Sequence, residues 1–133
     1  MVLVDTFILI GYLRVGKNNA VLKFQYILDN KVPFGINSLI YQEVLQGVKT
    51  EKDFVKTKRY LGTQRFYSLK DEKESYAHAA KIYFYCRKKG LTIGSTIDCL
   101  IAQTAIENAL LLLHNNSDFD NIAKIEDLKI FDL

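Results

Sequence analysis

Four acidic residues lie at positions where a purely solvated charge is not expected. Asp5 directly follows the apolar run VLV, Glu43 lies inside LIYQEVLQ, Asp98 stands three residues after Ser95, and Asp118 follows the run LLLL closely. Converging carboxylates repel one another, so at least one stays protonated unless a cation neutralises them. Oxygen ligands suit Mg²⁺ or Mn²⁺, which bind phosphates and can activate water. If the four side chains meet, phosphodiester hydrolysis is the expected chemistry.

Each of these acids also has a structural explanation. Asp5 could cap the helix that follows it, and Glu43, on the apolar flank of its helix, could extend to water. Asp98 completes an S-x-x-D capping box, which taken alone is the simpler interpretation. Asp118 could form a turn. The functional hypothesis rests on their conjunction, because three of them follow a strand or open a helix beside one.

Short apolar runs alternate with helical patterns along the chain. Strands are predicted at 2–4, 32–36, 65–69 and 110–113. Helices are predicted after caps at Thr6, at Asn18 or Asn19 and at Asn37-Ser38, and over 51–61, 71–89 and 95–109. This alternation favours an α/β fold with a central, mostly parallel sheet of four or five short strands flanked by helices. Ligands of such sheets bind beyond the carboxyl ends of the strands, where Asp5 and Asp118 are expected.

Composition narrows the possible classes of protein. The 133 residues are 49% hydrophobic and contain no linker-like run, so we expect one domain over 1–133. No apolar stretch reaches the roughly 18 residues that span a bilayer, and the start lacks a basic leader, which predicts a cytoplasmic protein without a membrane partner. Cys86 and Cys99 lie in apolar surroundings without a CxxC spacing, so they are interpreted as buried thiols. A zinc site formed with His78 and His114 is poorly supported by the spacing of these residues.

The net charge of +3 permits contact with a polyanion without proving it. One basic cluster contains Lys49, Lys52, Lys56, Lys58 and Arg59, and a second contains Arg87, Lys88 and Lys89. Both are explained more simply as solvated helix faces, and the second also suits a helix C-terminus.

At the four acids the sequence resembles the PIN-domain ribonucleases, most closely the VapC-like toxins of toxin–antitoxin pairs. VLVDTFILI resembles that family's opening strand, which makes Asp5 a metal ligand and Thr6 a supporting residue. SLIYQEVLQG, STIDCLIAQTAIENA and LLLHNNSDFDNIA resemble its later acidic motifs, which carry Glu43, Asp98 and Asp118. The resemblance covers essentially the whole chain. One departure is Asn116, where many relatives carry an aspartate.

The resemblance implies a Mg²⁺-dependent endoribonuclease, with Mn²⁺ able to substitute. Asp5, Glu43, Asp98 and Asp118 would be the catalytic metal ligands. The supporting residues would be Thr6, Asn116 and Asp120, and weak RNA contacts are expected from Lys49, Lys52, Lys56 and Arg59. Asn116 adds no negative charge, so the number of metals is left open.

The resemblance also implies partners, namely RNA, a small antitoxin protein and a second copy in a homodimer. The aromatic helix that contains Tyr76, Tyr83, Phe84 and Tyr85 is explained by default as core packing, with an interface as the alternative. Two other functions stay open: a non-catalytic PIN-like module that binds RNA or protein, suggested by Asn116, and a phosphatase or nuclease that acts on DNA.

Overall fold

A parallel five-stranded sheet forms the centre of the described chain. The structure is a computed structural model that describes residues 1–14 and 18–132. The strands are β1 (Val2–Val4), β2 (Phe34–Ile36), β3 (Arg65–Phe66), β4 (Leu111–Leu113) and β5 (Lys129–Ile130). Their order across the sheet is β3-β2-β1-β4-β5, and each neighbouring pair is parallel. The predicted α/β fold is confirmed.

The middle strand β1 shows why the apolar runs predict a buried sheet. Val2, Leu3 and Val4 are all at most 1% exposed, although successive side chains of a strand point to opposite faces. Helices therefore cover both faces of the sheet. In register, Val4 pairs with Leu113 of β4, so the carboxyl ends of β1 and β4 lie side by side.

Seven helices are found in the described residues: α1 (Thr6–Leu13), α2 (Asn19–Asp29), α3 (Ser38–Gln46), α4 (Glu51–Gly62), α5 (Glu74–Lys88), α6 (Thr96–Glu107) and α7 (Ser117–Ala123). As predicted, Asn18 caps α2 and Asn37 caps α3, each through its side-chain oxygen. Helix α1 packs against α2 and α3, while α5 packs against α6 and α7. No helix in this described part of the chain has the length and apolarity needed to cross a membrane.

Several predicted boundaries are wrong. Thr6 does not cap α1, because Asp5 occupies the N-cap position and Thr6 is already helical. The strands predicted at 32–36 and 65–69 are shorter, at Phe34–Ile36 and Arg65–Phe66. Helix α7 and strand β5 were not predicted. Strand β5 has only two residues and α7 was interpreted as an acidic loop, so neither gave a clear periodic signal.

The default explanation of the aromatic helix as core is also wrong. Tyr76, Tyr83, Phe84 and Tyr85 are between 38% and 49% exposed. The buried side of α5 instead carries Ser75, Ala79, Ile82 and Cys86. Small side chains allow α5 to lie close to α6, and the rings remain on the outer surface.

Candidate metal centre

Asp5 occupies the carboxyl end of the central strand and is almost fully buried. Its backbone N–H donates to the Leu113 carbonyl at 3.0 Å, which fixes the residue beside the end of β4. Its side chain is 2% exposed and makes no capping hydrogen bond to α1. Asp5 is the N-cap residue of α1 and the amides of Thr6 and Phe7 lower its pKa, so capping explains part of its environment but not its burial. A buried carboxyl group at this edge of a parallel sheet lies where ligands bind.

Helix α3 brings Glu43 toward the same place. Thr6 Oγ1 donates a hydrogen bond of 2.8 Å to Glu43 Oε1, and Thr6 is itself 4% exposed. Asn37 starts α3 directly after β2, and its amide also donates to Thr104 Oγ1 of α6 at 3.1 Å. The start of α3 is thus fastened to the sheet and to α6. The predicted supporting residue Thr6 therefore contacts Glu43 directly.

Asp98 and Asp118 form the second half of the cluster. Asp98 lies in the first turn of α6, but its Oδ2 accepts a hydrogen bond from the Asn116 amide at 3.1 Å. Ser95 caps α6 by accepting from the Ile97 N–H and not from the Asp98 N–H that a capping box uses. Asp118 Oδ2 accepts from the Gly94 N–H at 2.9 Å. A loop before α6 and the loop after β4 therefore hold these two acids together.

The electrostatics link all four acids. Burial raises the pKa of Asp5 to about 7, and the negative charges of Asp98 and Glu43 add to this rise, while the amides of Thr6 and Phe7 oppose it. Burial likewise raises the pKa of Asp98 to about 6, with further contributions from hydrogen bonding and repulsion by Asp118 and from Glu43. The Asn116 amide partly offsets that rise. Glu43 thus lies close enough to raise the pKa of both Asp5 and Asp98, and Asp118 lies close enough to raise that of Asp98.

The donor set fits a hard divalent cation that keeps most of its own water. No group of three acidic, histidine or cysteine side chains in the described ranges is arranged to hold a metal directly. Glu43, Asp98 and Asp118 each accept a hydrogen bond from a protein donor. Mg²⁺ commonly binds through one or two carboxylates together with water and substrate phosphates. Carboxyl groups with pKa values near neutrality favour the approach of such a cation, because it would relieve their repulsion.

Comparison with known proteins identifies the family. The sequence matches the PIN domain family over residues 2–125, which is most of the chain. This chain is a PIN domain. It is 28% identical over 130 residues to a VapC ribonuclease of Mycobacterium bovis and to ribonuclease VapC11 of Mycobacterium tuberculosis, with 97% of this chain and 96% of each relative covered. The resemblance read from the four motifs is confirmed.

Solved structures support the same fold. VapBC2 from Rickettsia felis, bound to a DNA fragment from its promoter, matches with a TM-score of 0.73 and 20% identity, covering 98% of both chains. FitAcB from Neisseria gonorrhoeae matches with a TM-score of 0.72 and 20% identity, covering 99% of this chain and 97% of that one. At these identities the likeness concerns the fold of the PIN domain.

Asp120 of this PIN domain contacts His114. Its Oδ1 lies 3.3 Å from His114 Nε2, and its side chain is 62% exposed. The proposed supporting residues thus divide into two that contact an acid of the cluster, Thr6 and Asn116, and one that contacts a histidine. The thiols of Cys86 and Cys99 are free and buried, whereas His78 is exposed on α5. The zinc alternative gains no support from this arrangement.

The basic cluster of the PIN domain borders a groove between the ends of α1 and α3 and helix α4. The groove has a volume of about 640 Å³, and its basic side chains are Arg14, Lys49 and Lys56. Arg14 also donates to the Gly47 carbonyl at 3.1 Å, which joins the ends of α1 and α3. Lys52 and Arg59 are exposed on α4 but do not line the groove.

Sequence reasoning missed three residues that shape the centre. The Gly94 amide holds Asp118, and an added Cβ there would lie 3.4 Å from Asp118 Oδ2. Thr104 is fully buried in α6, and its hydroxyl oxygen accepts a hydrogen bond from the Asn37 side-chain amide. His114 Nδ1 accepts a hydrogen bond from the backbone N–H of Asn116. A polar residue within an apolar helix was a usable signal for Thr104, but a contact from a backbone amide leaves no mark in the sequence.

Proposed function

We propose that this PIN domain is a Mg²⁺-dependent endoribonuclease, the toxin of a VapBC-like toxin–antitoxin pair. The observation that supports it most is the raised pKa of Asp5 and of Asp98 at the carboxyl edge of the sheet, to which the charges of Glu43 and Asp118 contribute. Relatives named as VapC ribonucleases, which align over nearly the whole chain, support the choice of RNA as substrate. Mn²⁺ is expected to replace Mg²⁺, because both accept oxygen ligands.

In this proposal Asp5, Glu43, Asp98 and Asp118 hold the metal, and the other residues orient them. A bound Mg²⁺ would supply electrostatic stabilisation of charge during phosphodiester hydrolysis. The Thr6 hydroxyl would hold the Glu43 carboxylate in place, and the Gly94 amide would hold that of Asp118. Because the pKa values of Asp5 and Asp98 are about 7 and about 6, metal binding near neutral pH would release protons.

The central test compares Asp98→Asn with the parent protein. The variant keeps an oxygen acceptor for Asn116 but lacks the charge, so we expect Mg²⁺-dependent cleavage of a mixed RNA pool to fall below detection. Asp127→Asn is the matched control, because Asp127 is 83% exposed and contacts Lys129 on the surface. Calorimetric titration with Mn²⁺ should show weaker binding only in Asp98→Asn. Undiminished cleavage by that variant would refute the assignment.

The same assays separate the rival functions. A binding module without catalysis would retain RNA without cutting it, even when Mn²⁺ binds. A DNA-directed nuclease would cut a DNA pool in competition with RNA. A phosphatase would release inorganic phosphate from a terminal monoester and leave internal linkages intact. Each outcome excludes the proposed endoribonuclease and identifies its replacement.

The basic groove is proposed as an RNA contact. Lys49 and Lys56 line it, and further weak contacts are expected from Lys52 and Arg59, which lie on α4 with Lys56. Lys56→Gln should weaken binding of a non-cleavable single-stranded RNA and reduce the salt dependence of binding by about one counterion. Lys58→Gln is the control, because Lys58 is exposed on α4 outside the groove. Equal effects of both variants would remove the groove from the proposal.

Partners and location follow from the proposed toxin function. The structural neighbours are solved as VapBC and FitAB complexes, which supports a small antitoxin as a partner here. The exposed aromatic side of α5 borders an apolar depression of about 290 Å³ that contains Tyr76, Tyr83 and Leu100, and we assign it to a homodimer contact. Sedimentation of the full chain would contradict this if only monomer is found at micromolar concentration. The expected location is the cytoplasm, where RNA substrates are present.

A further inference from the structure

His114 lies immediately after β4 and is held on three sides. Its Nδ1 accepts a hydrogen bond from the Asn116 backbone N–H at 3.0 Å, and its Nε2 faces Asp120 Oδ1 at 3.3 Å. Its ring packs against Phe119, with the ring centroids 5.2 Å apart, and Phe119 is completely buried. The His114 side chain is only 7% exposed. This ring therefore has one position and one hydrogen-bonding pattern.

That pattern defines the state of the ring. An Nδ1 that accepts a hydrogen bond carries no proton, so the proton of the neutral ring is on Nε2, where it can be donated to Asp120. Burial lowers the pKa of His114, which agrees with a neutral ring. Asp120, which the resemblance suggested as a supporting residue, thus acts on the histidine and not on the acid cluster.

The loop that His114 holds carries both Asn116 and Asp118. The Asn116 side chain uses its oxygen to accept the Asp118 N–H at 3.0 Å and its amide nitrogen to donate to Asp98 Oδ2 at 3.1 Å. The backbone of Asn116 is fixed in turn by His114. A displacement of this loop would move the Asn116 contact with Asp98 and the start of α7 together.

We infer that His114 is a positioning residue for the metal centre, which sets the place of Asn116 and Asp118 through its Nδ1 acceptor. The inference rests on the proposed metal-dependent function, and it assigns to His114 a role that the acidic motifs do not contain. His114 would not touch the metal or the substrate. It acts through the backbone of Asn116, as partners beyond the direct ligands commonly do in metal sites.

Two substitutions separate the two nitrogens of the ring. In His114→Asn the amide oxygen can take the place of Nδ1 and still accept from Asn116, whereas the contact with Asp120 is lost. In His114→Gln the amide nitrogen can take the place of Nε2 and still donate to Asp120, whereas the Nδ1 acceptor is lost. A purely space-filling role would make the variants alike.

The first measurement uses the metal-free full chain. Amide hydrogen exchange at Asn116 should accelerate about fivefold to tenfold in His114→Gln, as expected for one lost hydrogen bond, and should change little in His114→Asn. Equal protection of Asn116 in both variants would overturn the inference. If His114→Gln does not fold, the nitrogen resonances of His114 in the parent protein decide: a protonated Nδ1 would overturn the assignment and a bare Nδ1 supports it.

The second measurement is the affinity for Mn²⁺, determined by calorimetry under conditions in which the two variants are equally stable. His114→Gln should bind Mn²⁺ about tenfold more weakly than His114→Asn, in the range found for partners beyond the direct ligands. Equal affinities of the two variants would overturn the positioning role. If the parent protein binds no Mn²⁺ and cuts no RNA, the proposed function fails, and amide exchange still decides whether His114 fixes the loop.

Discussion

Asp5→Asn is the substitution that tests the electrostatics of the acid cluster most directly. The Asp5 carboxyl group is 2% exposed, and its pKa of about 7 in the folded protein compares with an ordinary value of 3.8. An acid whose pKa is raised by folding binds protons more tightly in the folded state. Stability is therefore highest at low pH and decreases as the pH rises from about 4 to about 7.

The magnitude follows from that window. One pKa unit corresponds to about 1.4 kcal/mol, so between pH 5 and the Asp5 pKa of about 7 the ionisation of Asp5 should remove on the order of 2 to 3 kcal/mol of folding free energy. Asparagine has the same shape and does not ionise. The stability of Asp5→Asn relative to the parent should therefore increase by about that amount between pH 5 and pH 8. Solvent screening reduces this little, because the group is buried.

The assay is urea denaturation of both proteins with a chelator present, at pH 5 and at pH 8. At each pH, the unfolding free energy of the parent is subtracted from that of Asp5→Asn, and the two differences are compared. Any packing effect of the amide is the same at both pH values and cancels in this comparison. Asp127→Asn is the control, and its difference from the parent should stay constant within about 0.5 kcal/mol, as for other exposed substitutions. Adding Mg²⁺ at pH 8 should stabilise the parent and leave Asp5→Asn unchanged.

Two results would refute the reasoning. If Asp5→Asn differs from the parent by the same amount at pH 5 and pH 8, the carboxyl group is not held in a strongly perturbed state. If the variant becomes relatively less stable as the pH rises, Asp5 has a favourable partner when ionised, and the assignment of mutual repulsion is wrong.

Two further substitutions probe the supporting residues. Thr6→Val removes the donor to Glu43 while keeping the side-chain shape, and it should cost about 1 kcal/mol of stability in urea denaturation and weaken Mn²⁺ binding, whereas Thr6→Ser should preserve both. Asn116→Asp adds a carboxylate beside Asp98 and removes an amide donor, so it should lower the melting temperature of the chelated protein at pH 8 and tighten Mn²⁺ binding in calorimetry. Unchanged affinity in either variant would contradict the role given to that residue.

The sequence was sufficient to predict the sheet because its middle strands are buried on both faces. Continuous runs such as VLV at 2–4 and LLL at 111–113 leave few alternatives to a parallel sheet between helix layers. That topology brings the carboxyl ends of β1 and β4 together and predicts where Asp5 and Asp118 lie. Strand β5 escaped prediction because two residues, one of them exposed, give no alternation to detect.

The contacts of the acids were harder to predict than their neighbourhood. Thr6 was expected to cap α1 and instead donates to Glu43, because Asp5 fills the cap position. Asp98 fits a capping box in sequence, yet its carboxylate is directed to Asn116. A polar side chain can form hydrogen bonds of similar energy with several partners, and some of these partners are distant in the sequence. Only the folded backbone decides between them.

Asn116 reduces the repulsion within the acid cluster. Asp98 already has a pKa of about 6, and Asp118 is one cause of this. An aspartate at position 116 would add a further like charge at hydrogen-bond distance from Asp98, whereas the asparagine amide donates a hydrogen bond and lowers the Asp98 pKa. The same amide supplies no charge to a cation. In the proposed metal centre, Asn116 would therefore favour the stability of the fold over metal affinity, and His114, which accepts a hydrogen bond from the Asn116 backbone N–H, would keep Asn116 in place.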